Sequence, residues 1–359
     1  MQISVTELYT WIEAGSKITG DKDTDFFLST NGGKLYLIFL NPQIQYCKRI
    51  ECDGDIAEIC LDLPIFRSML KGKKGTLEIV TNKGTISLKG SGFKYSLDGI
   101  SKEIPNDVFT SLFSKKGKKT DFINIPQKIV KSLSTIRDRV TDSKLAVRVV
   151  GKGNLVKFLL TDNHHGLLIT QKFKEEHRIN EIILPIDTFL KVINVAASKE
   201  AVTFEQTESD IVVQTKSEYL ACRLKAMSNA HFTFDMMEGL LASKSSGACE
   251  IKTDELLQAL NTCQAIIASA PVTLAVEKNT VLISMNTAFS KTSERIKATV
   301  TKPFTSQLNV TLLMEITSTM FEKCTMSVRN GNLNLESTQE GIKMQGMCVG
   351  YVEEEDDDD

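Results

Sequence analysis

The sequence predicts an α+β chain made of six copies of one β-α-β-β-β unit, paired into three similar domains. Two observations carry this. Amphipathic helical stretches begin near residues 6, 63, 126, 185, 252 and 309, at spacings of 57 to 67 residues. Between them run short segments rich in apolar residues, separated by turn signals such as NKG and GSG, as antiparallel strands require. A repeat this regular takes precedence over any single motif. One unit alone buries too little to be stable, whereas two packed together put helices on one face of an antiparallel sheet.

The elements follow in order. A helix over 6–18 has Leu8, Trp11, Ile12 and Gly15 on its apolar side, and strands are expected over 26–29, 34–40, 45–52 and 56–61. A short helix over 63–70 carries Pro64 in its first turn, where a missing N–H costs nothing, with Ile65, Phe66, Met69 and Leu70 inward. Strands over 76–81, 84–89 and 94–97 close the first domain. The second opens with 122–125 and the helix over 125–140. There Ile129, Val130, Leu133, Ile136 and Val140 share one side, and Lys128, Lys131, Thr135 and Arg139 the other. Such a charged face suits plain solvent or a polyanion. Strands over 145–150, 156–161, 166–173 and 181–184 lead to a helix over 185–197, and strands over 202–206, 211–215 and 218–224 end the domain. The third has a strand at 249–251 and a helix over 253–268 with Thr253 as N-cap. Strands over 272–277, 281–286, 293–299 and 307–310, a helix over 311–324, and strands over 326–329, 333–337 and 341–349 complete it. The linkers are read at 115–120 (KKGKKT) and 241–247 (LASKSSG). The domains are therefore 1–120, 121–246 and 247–352, with a tail at 353–359.

Composition bounds the function. The 359 residues are 42% hydrophobic and 25% charged, an ordinary globular balance. No run of about twenty apolar residues is present to span a bilayer. The N-terminal stretch lacks a basic segment followed by an apolar core, so no secretory signal is expected. The eight cysteines are scattered without a CxxC pair and read as buried free thiols of a reducing cytoplasm. The net charge of −2 hides a contrast: Glu353 to Asp359 are all acidic, and without these seven the chain carries +5. The tail repels itself and is expected to be disordered. The rest is mildly basic, so contact with nucleic acid depends on where the cations stand.

Several stretches resemble the bacterial-type DNA sliding clamp, the beta subunit of the replicative polymerase. TDNHHGLL at 161–168 is similar to that family's Thr-Asp-Gly-His-Arg-Leu segment. IILPIDTFLKVI at 182–193 and SEYLACRLKA at 217–226 resemble the strands and helix of its second domain. LLQALNTCQAIIAS at 256–269 and VLISMNTAFSKTSERIKA at 281–298 resemble its third. The first domain matches in architecture only. Asn163-His164-His165 replaces Gly-His-Arg, and MCVGYV with an acidic tail replaces the C-terminal Met-Pro-Met-Arg-Leu. This divergence points to a phage version acting in the cytoplasm of a bacterial host.

The resemblance implies a DNA-clamp fold, with helices lining a ring and sheets outside, that encircles duplex DNA and tethers a polymerase. Arg67, Lys71, Lys73, Lys74, Lys128, Lys131, Arg139 and Lys191 are the candidate phosphate contacts; taken singly, each reads as a solvated surface residue before a contact, and the pattern carries the weight. A sliding ring touches phosphates rather than base edges, because it must cross any sequence. Thr161, Asn163, His164, Met347, Val349 and Tyr351 are the candidates for a groove that receives polymerase and clamp-loader peptides. Ile266 and Ile267 match the family's interface in a head-to-tail homodimer. No cofactor or metal is implied. Asp162, His164 and His165 form the one His-rich cluster, but neighbours on an extended segment point apart, and no GxSxG, HExxH, Walker or GxGxxG context is present. Catalysis is not expected. The alternative is an open scaffold of the same fold that does not encircle DNA.

Overall fold

The computed structural model describes residues 1–106, 146–161, 165–173, 179–196, 203–206, 210–223, 230–266, 271–287 and 290–350, together with positions 108, 112, 118, 119, 130 and 134. The chain divides into two compact units, Met1–Asn124 with Lys191–Lys225, and Ile125–Leu190 with Ala226–Asp359.

In the first unit, β1 (Gln2–Ser4) leads into α1 (Val5–Thr19), whose N-cap Ser4 accepts from the Glu7 N–H. Strands β2 (Asp25–Asn31), β3 (Lys34–Leu40), β4 (Ile44–Glu51) and β5 (Ile59–Leu61) follow. Helix α2 (Leu63–Leu70) is capped by Asp62, which accepts from the Ile65 N–H at 2.8 Å. Leu63, Phe66 and Leu70 form its buried stripe, and Ile65, read as inward, lies off that stripe and is exposed. Strands β6 (Thr76–Asn82), β7 (Thr85–Gly90) and β8 (Phe93–Asp98) make a four-stranded sheet in the order β1-β6-β7-β8. The residues read as the first linker contribute a strand, β9 (Lys118–Lys119), which pairs with Thr203 and Phe204. The aromatic core under α1 and α2 joins Phe26, Phe39, Phe66 and Tyr46, with ring centroids 4.8 to 5.7 Å apart.

The second unit contains β10 (Ala146–Lys152), β11 (Leu155–Thr161), β12 (His165–Lys172) and β13 (Ile179–Pro185). Helix α3 (Ile186–Ala196) carries the chain back into the first unit. There β14 (Thr203–Gln206), β15 (Asp210–Gln214) and β16 (Glu218–Arg223) complete an eight-stranded sheet, β5-β2-β3-β4-β16-β15-β14-β9. The chain then forms α4 (Ala230–Ala242), a helix the sequence reading lacks. Strand β17 (Gly247–Lys252) and helix α5 (Thr253–Ile266) follow; the Thr253 hydroxyl, read as an N-cap, donates to the Phe321 carbonyl. Strands β18 (Pro271–Glu277), β19 (Thr280–Asn286), β20 (Lys291–Lys297), β21 (Thr299–Lys302) and β22 (Phe304–Asn309) precede α6 (Val310–Thr319). That helix ends five residues short of the expected 324. Met320 leaves helical geometry at φ −72°, ψ 161°, and the Phe321 N–H turns to Ser337 Oγ. The remaining residues enter β23 (Lys323–Arg329), which with β24 (Asn332–Gln339) and β25 (Ile342–Cys348) ends the described fold. The sheets of this unit run β13-β10-β11-β12-β25-β24-β23-β17-β21 and β20-β19-β18-β22.

Two strand pairs join different repeats: β4 with β16, and β12 with β25. Each is antiparallel and pairs the third strand of one half-domain with the third strand of another. That is why compactness does not follow the repeat. The 125–140 helix falls outside the described residues except Val130 and Ser134, both helical, with Ser134 Oγ donating to the Val130 carbonyl at 2.9 Å.

Candidate functional site

The basic candidates separate by local geometry. Arg67 on α2 makes a two-pronged pair with Asp21, at 2.6 and 3.0 Å, and also meets Glu13 at 3.4 Å and Ser16 Oγ at 2.5 Å. Its guanidinium is committed to clasping α2 to α1, and its charge is matched by two carboxylates. Beyond α2 the chain turns through 71–75, where Lys71 and Lys74 are exposed. Lys73 stands over the rings of Phe93 and Tyr95, at 5.4 and 5.8 Å, a cation–π arrangement on β8. Lys191 on α3 is half-buried, close enough to Cys222 to oppose in part the rise that burial imposes on that thiol, which is pushed up to about 12. Lys128, Lys131 and Arg139 lie outside the described residues. Helices α5 and α6 carry no Lys or Arg.

Of the groove candidates, Thr161 and Met347 both lie beside Gly166 of β12, and Val349 follows β25. Thr161, at the end of β11, is buried and opposite Gly166, and Gly166 is opposite Met347. Met347 is fully buried, whereas Val349 is 41% exposed. Asn163, His164 and Tyr351 lie outside the described residues, as do Asp162 and the tail. Successive strand residues face opposite sides of a sheet, and each side here has its own helices. Phe158 meets Phe189 of α3, with ring centroids 5.9 Å apart, and Gly346 lies against Ile316 of α6. Their neighbours Leu159 and Met347 turn to the other side and pack with Ala146 and Leu168 under Phe234, Met237 and Leu241 of α4. So the floor on which the groove was expected is covered by the chain itself. Ionic straps hold the cover down: Arg148 reaches Asp235 at 2.6 Å, and Lys157 reaches Glu238 at 2.6 Å. Beside α4 a cavity of about 300 Å³ opens over Val150, Leu155, Leu159 and Leu168, with Arg148 and Glu238 at its rim.

Helix α4 was legible in principle. Phe234, Met237 and Leu241 have helical spacing, but Gly239 and the surrounding Thr and Phe residues argue locally against a helix. Of the interface candidates, Ile266 ends α5 at 41% exposure, and Ile267 is outside the described residues. Seven cysteines are buried, Cys52 is half-buried, and all are free. Among the described residues no helix is long and apolar enough to cross a membrane, and no group of three His, Cys, Asp or Glu is placed to hold a metal ion.

Over nearly its whole length the chain superposes on solved DNA polymerase III beta subunits. The subunit from Pseudomonas aeruginosa matches with a TM-score of 0.78 at 12% identity, covering 98% of this chain and 99% of that one. A Pseudomonas aeruginosa sliding clamp bound to griselimycin gives 0.79 at 12% identity, with 98% and 99% covered. The Helicobacter pylori beta clamp with diflunisal gives 0.76 at 14% identity, again with 98% and 99% covered. The chain has the sliding-clamp fold. No family model matches the sequence, and no curated protein matches it either.

Proposed function

We propose that this chain is a DNA sliding clamp: a processivity factor that closes around duplex DNA as a ring and tethers a replicative polymerase, without reading sequence. The single observation that carries this is the clamp fold over 98% of the chain. The three-domain division, the homodimer, the DNA contacts and the polymerase and clamp-loader partners belong to the same reading.

The two joints already described support the homodimer. In each, a third strand of one half-domain pairs with a third strand of another. Two third strands, β8 and β20, end their sheets without a neighbour in the order, so β20 of one copy pairs with β8 of the next. The register can be derived. The hairpins Leu40↔Gln45, Thr161↔Gly166 and Asn286↔Lys291 share one step, so Lys291 is equivalent to Gly166. The hairpins Gln339↔Ile342 and Gly90↔Phe93 share another, so Asp98 is equivalent to Met347. Carrying over the register of β12–β25, in which Gly166 pairs with Met347, puts Lys291 of one copy opposite Asp98 of the next; the register of β4–β16 would put it opposite Ser96. Thr292, Glu294 and Ile296 then face Leu97, Tyr95 and Phe93, half-buried positions meeting half-buried positions. Lys73, over Tyr95, comes within reach of the neighbouring copy's Glu294. A head-to-tail contact of this kind closes into a ring when the rotation allows.

DNA contact then falls to Lys71, Lys74 and Lys191, for which no ion pair is seen among the described residues, with Lys128, Lys131 and Arg139 on the helix expected over 125–140. Replacing Lys128 and Lys131 together by Ala lowers the salt slope of DNA binding by roughly two units. The decisive experiment is retention on circular against linearised DNA. A ring stays on the circle and slides off the cut ends. A monomer in solution that leaves both equally overturns the ring in favour of an open scaffold.

A further inference from the structure

We infer that α4 is an internal occupant of the partner groove, which a partner's apolar motif must displace in order to bind. The inference rests on the groove assigned above to Thr161 and Met347. Phe234, Met237 and Leu241 cover Ala146, Leu159, Leu168 and Met347, and they present the i, i+3, i+7 anchors by which an amphipathic helix fills an apolar groove. The fit is close at Gly166, where a Cβ would lie 2.5 Å from Met237 Sδ. The floor therefore lacks a side chain where the helix enters.

Two features favour release of the cover, whose apolar face is buried in the core cluster. Its attachments at Asp235 and Glu238 are ion pairs in which Asp235 is 70% and Lys157 49% exposed, against 17% for Arg148; the exposed ends are weakened by salt. Gly239, exposed and with nothing within 4 Å of an added Cβ, sits inside the helix and lowers its stability relative to Ala. The occupant that replaces α4 is a peptide of the same chemistry: two or three large apolar anchors at the spacing of one or two helical turns, with acidic residues between them to meet Arg148 and Lys157.

The probe is a fluorescein-labelled peptide of residues 229–243, α4 itself, titrated by anisotropy into the full chain. Wild type binds it weakly, because its own α4 holds the site. D235N/E238Q, which frees the straps, binds about fivefold tighter, and Gly239→Ala, which favours the attached helix, binds about fivefold weaker. Thermal unfolding shows whether each variant is folded before it is titrated. Equal affinity for all three proteins, or binding to none, overturns the inference. So does hydrogen exchange of the α4 amides only at the rate of global unfolding, because a lid must open alone. Retention on circular DNA is read separately. If it fails while the order of affinities holds, the clamp reading falls and the lid stands; the reverse pattern removes the lid alone.

Discussion

Glu218 shows how much one side chain decides at the β4–β16 joint. It accepts from the Tyr46 hydroxyl at 2.8 Å and from Lys48 Nζ at 3.1 Å, and it is 15% exposed. Burial, with Glu218 alongside, pushes the Tyr46 hydroxyl far above its ordinary range. Glu218→Ala leaves the half-buried Lys48 without its carboxylate and the Tyr46 hydroxyl without its acceptor, and is expected to cost about 2 kcal/mol in urea denaturation. Glu218→Gln, which still accepts from Tyr46, costs less. The thiols add a pH dependence. Burial pushes Cys222 and Cys249 up to about 12, and Cys60 and Cys324 up to about 11, from an ordinary 9.0. Between 9 and those values the unfolded chain releases protons that the folded chain keeps, so stability falls as pH rises through that window. A melting temperature that stays constant from pH 8.5 to 10.5 contradicts this.

The elements α1 and α2 are clasped by Arg67. Arg67→Ala is expected to cost about 2 kcal/mol of stability and to leave the salt slope of DNA binding unchanged, whereas Lys71→Ala with Lys74→Ala lowers that slope by about two. Measuring both properties on both variants separates a structural cation from a phosphate contact. The sequence made α1 and α2 legible to within a residue through their apolar stripes and Pro64 in the first turn of α2; the caps Ser4 and Asp62 are seen in the structure. The sequence misplaced the end of α6, where Phe321 and Cys324 continue an apolar pattern but belong to a turn and to β23. The fate of Arg67 was not legible either, since Asp21 and Glu13 meet it only through the packing of α1 on α2. Strand register sets Thr161, Gly166 and Met347 side by side, and α4, which the sequence reading lacks, lies over that face of the sheet.

At the scale of the molecule, the proposed assembly rests on the edges β8 and β20, and the register carried over from β12–β25 makes charge predictions of opposite sign. Asp98→Lys, opposite Lys291, loosens the dimer. Lys94→Glu converts a like-charged pairing with Arg295 into an attractive one and tightens the dimer by roughly 0.2–1 kcal/mol. Sedimentation equilibrium at low salt measures both, and a shift of the same sign in the two variants refutes the register. Five of the six helix starts read from the spacing fall within a residue of the starts of described helices, and the sixth lies outside the described residues. The interleaving of the two compact units was not legible, because which half-domain edge meets which depends on strand order, and strand order leaves no periodic trace.

That interleaving also sets a timetable for synthesis. Strand β4 pairs with β16, so Lys48 waits for Glu218, 170 residues later. At ordinary translation speeds the interval is roughly 10 to 30 s. During it β4 is a sheet edge without its neighbour, a template on which a second nascent chain could add a strand. The residues at that edge suit the wait: Lys48 and Arg49 stand in the middle of β4, and charge on an edge strand disfavours pairing with a copy of itself. The cations that later seat Glu218 and the Lys216 carbonyl thus have an earlier task, keeping an unfinished sheet single until its own continuation leaves the ribosome.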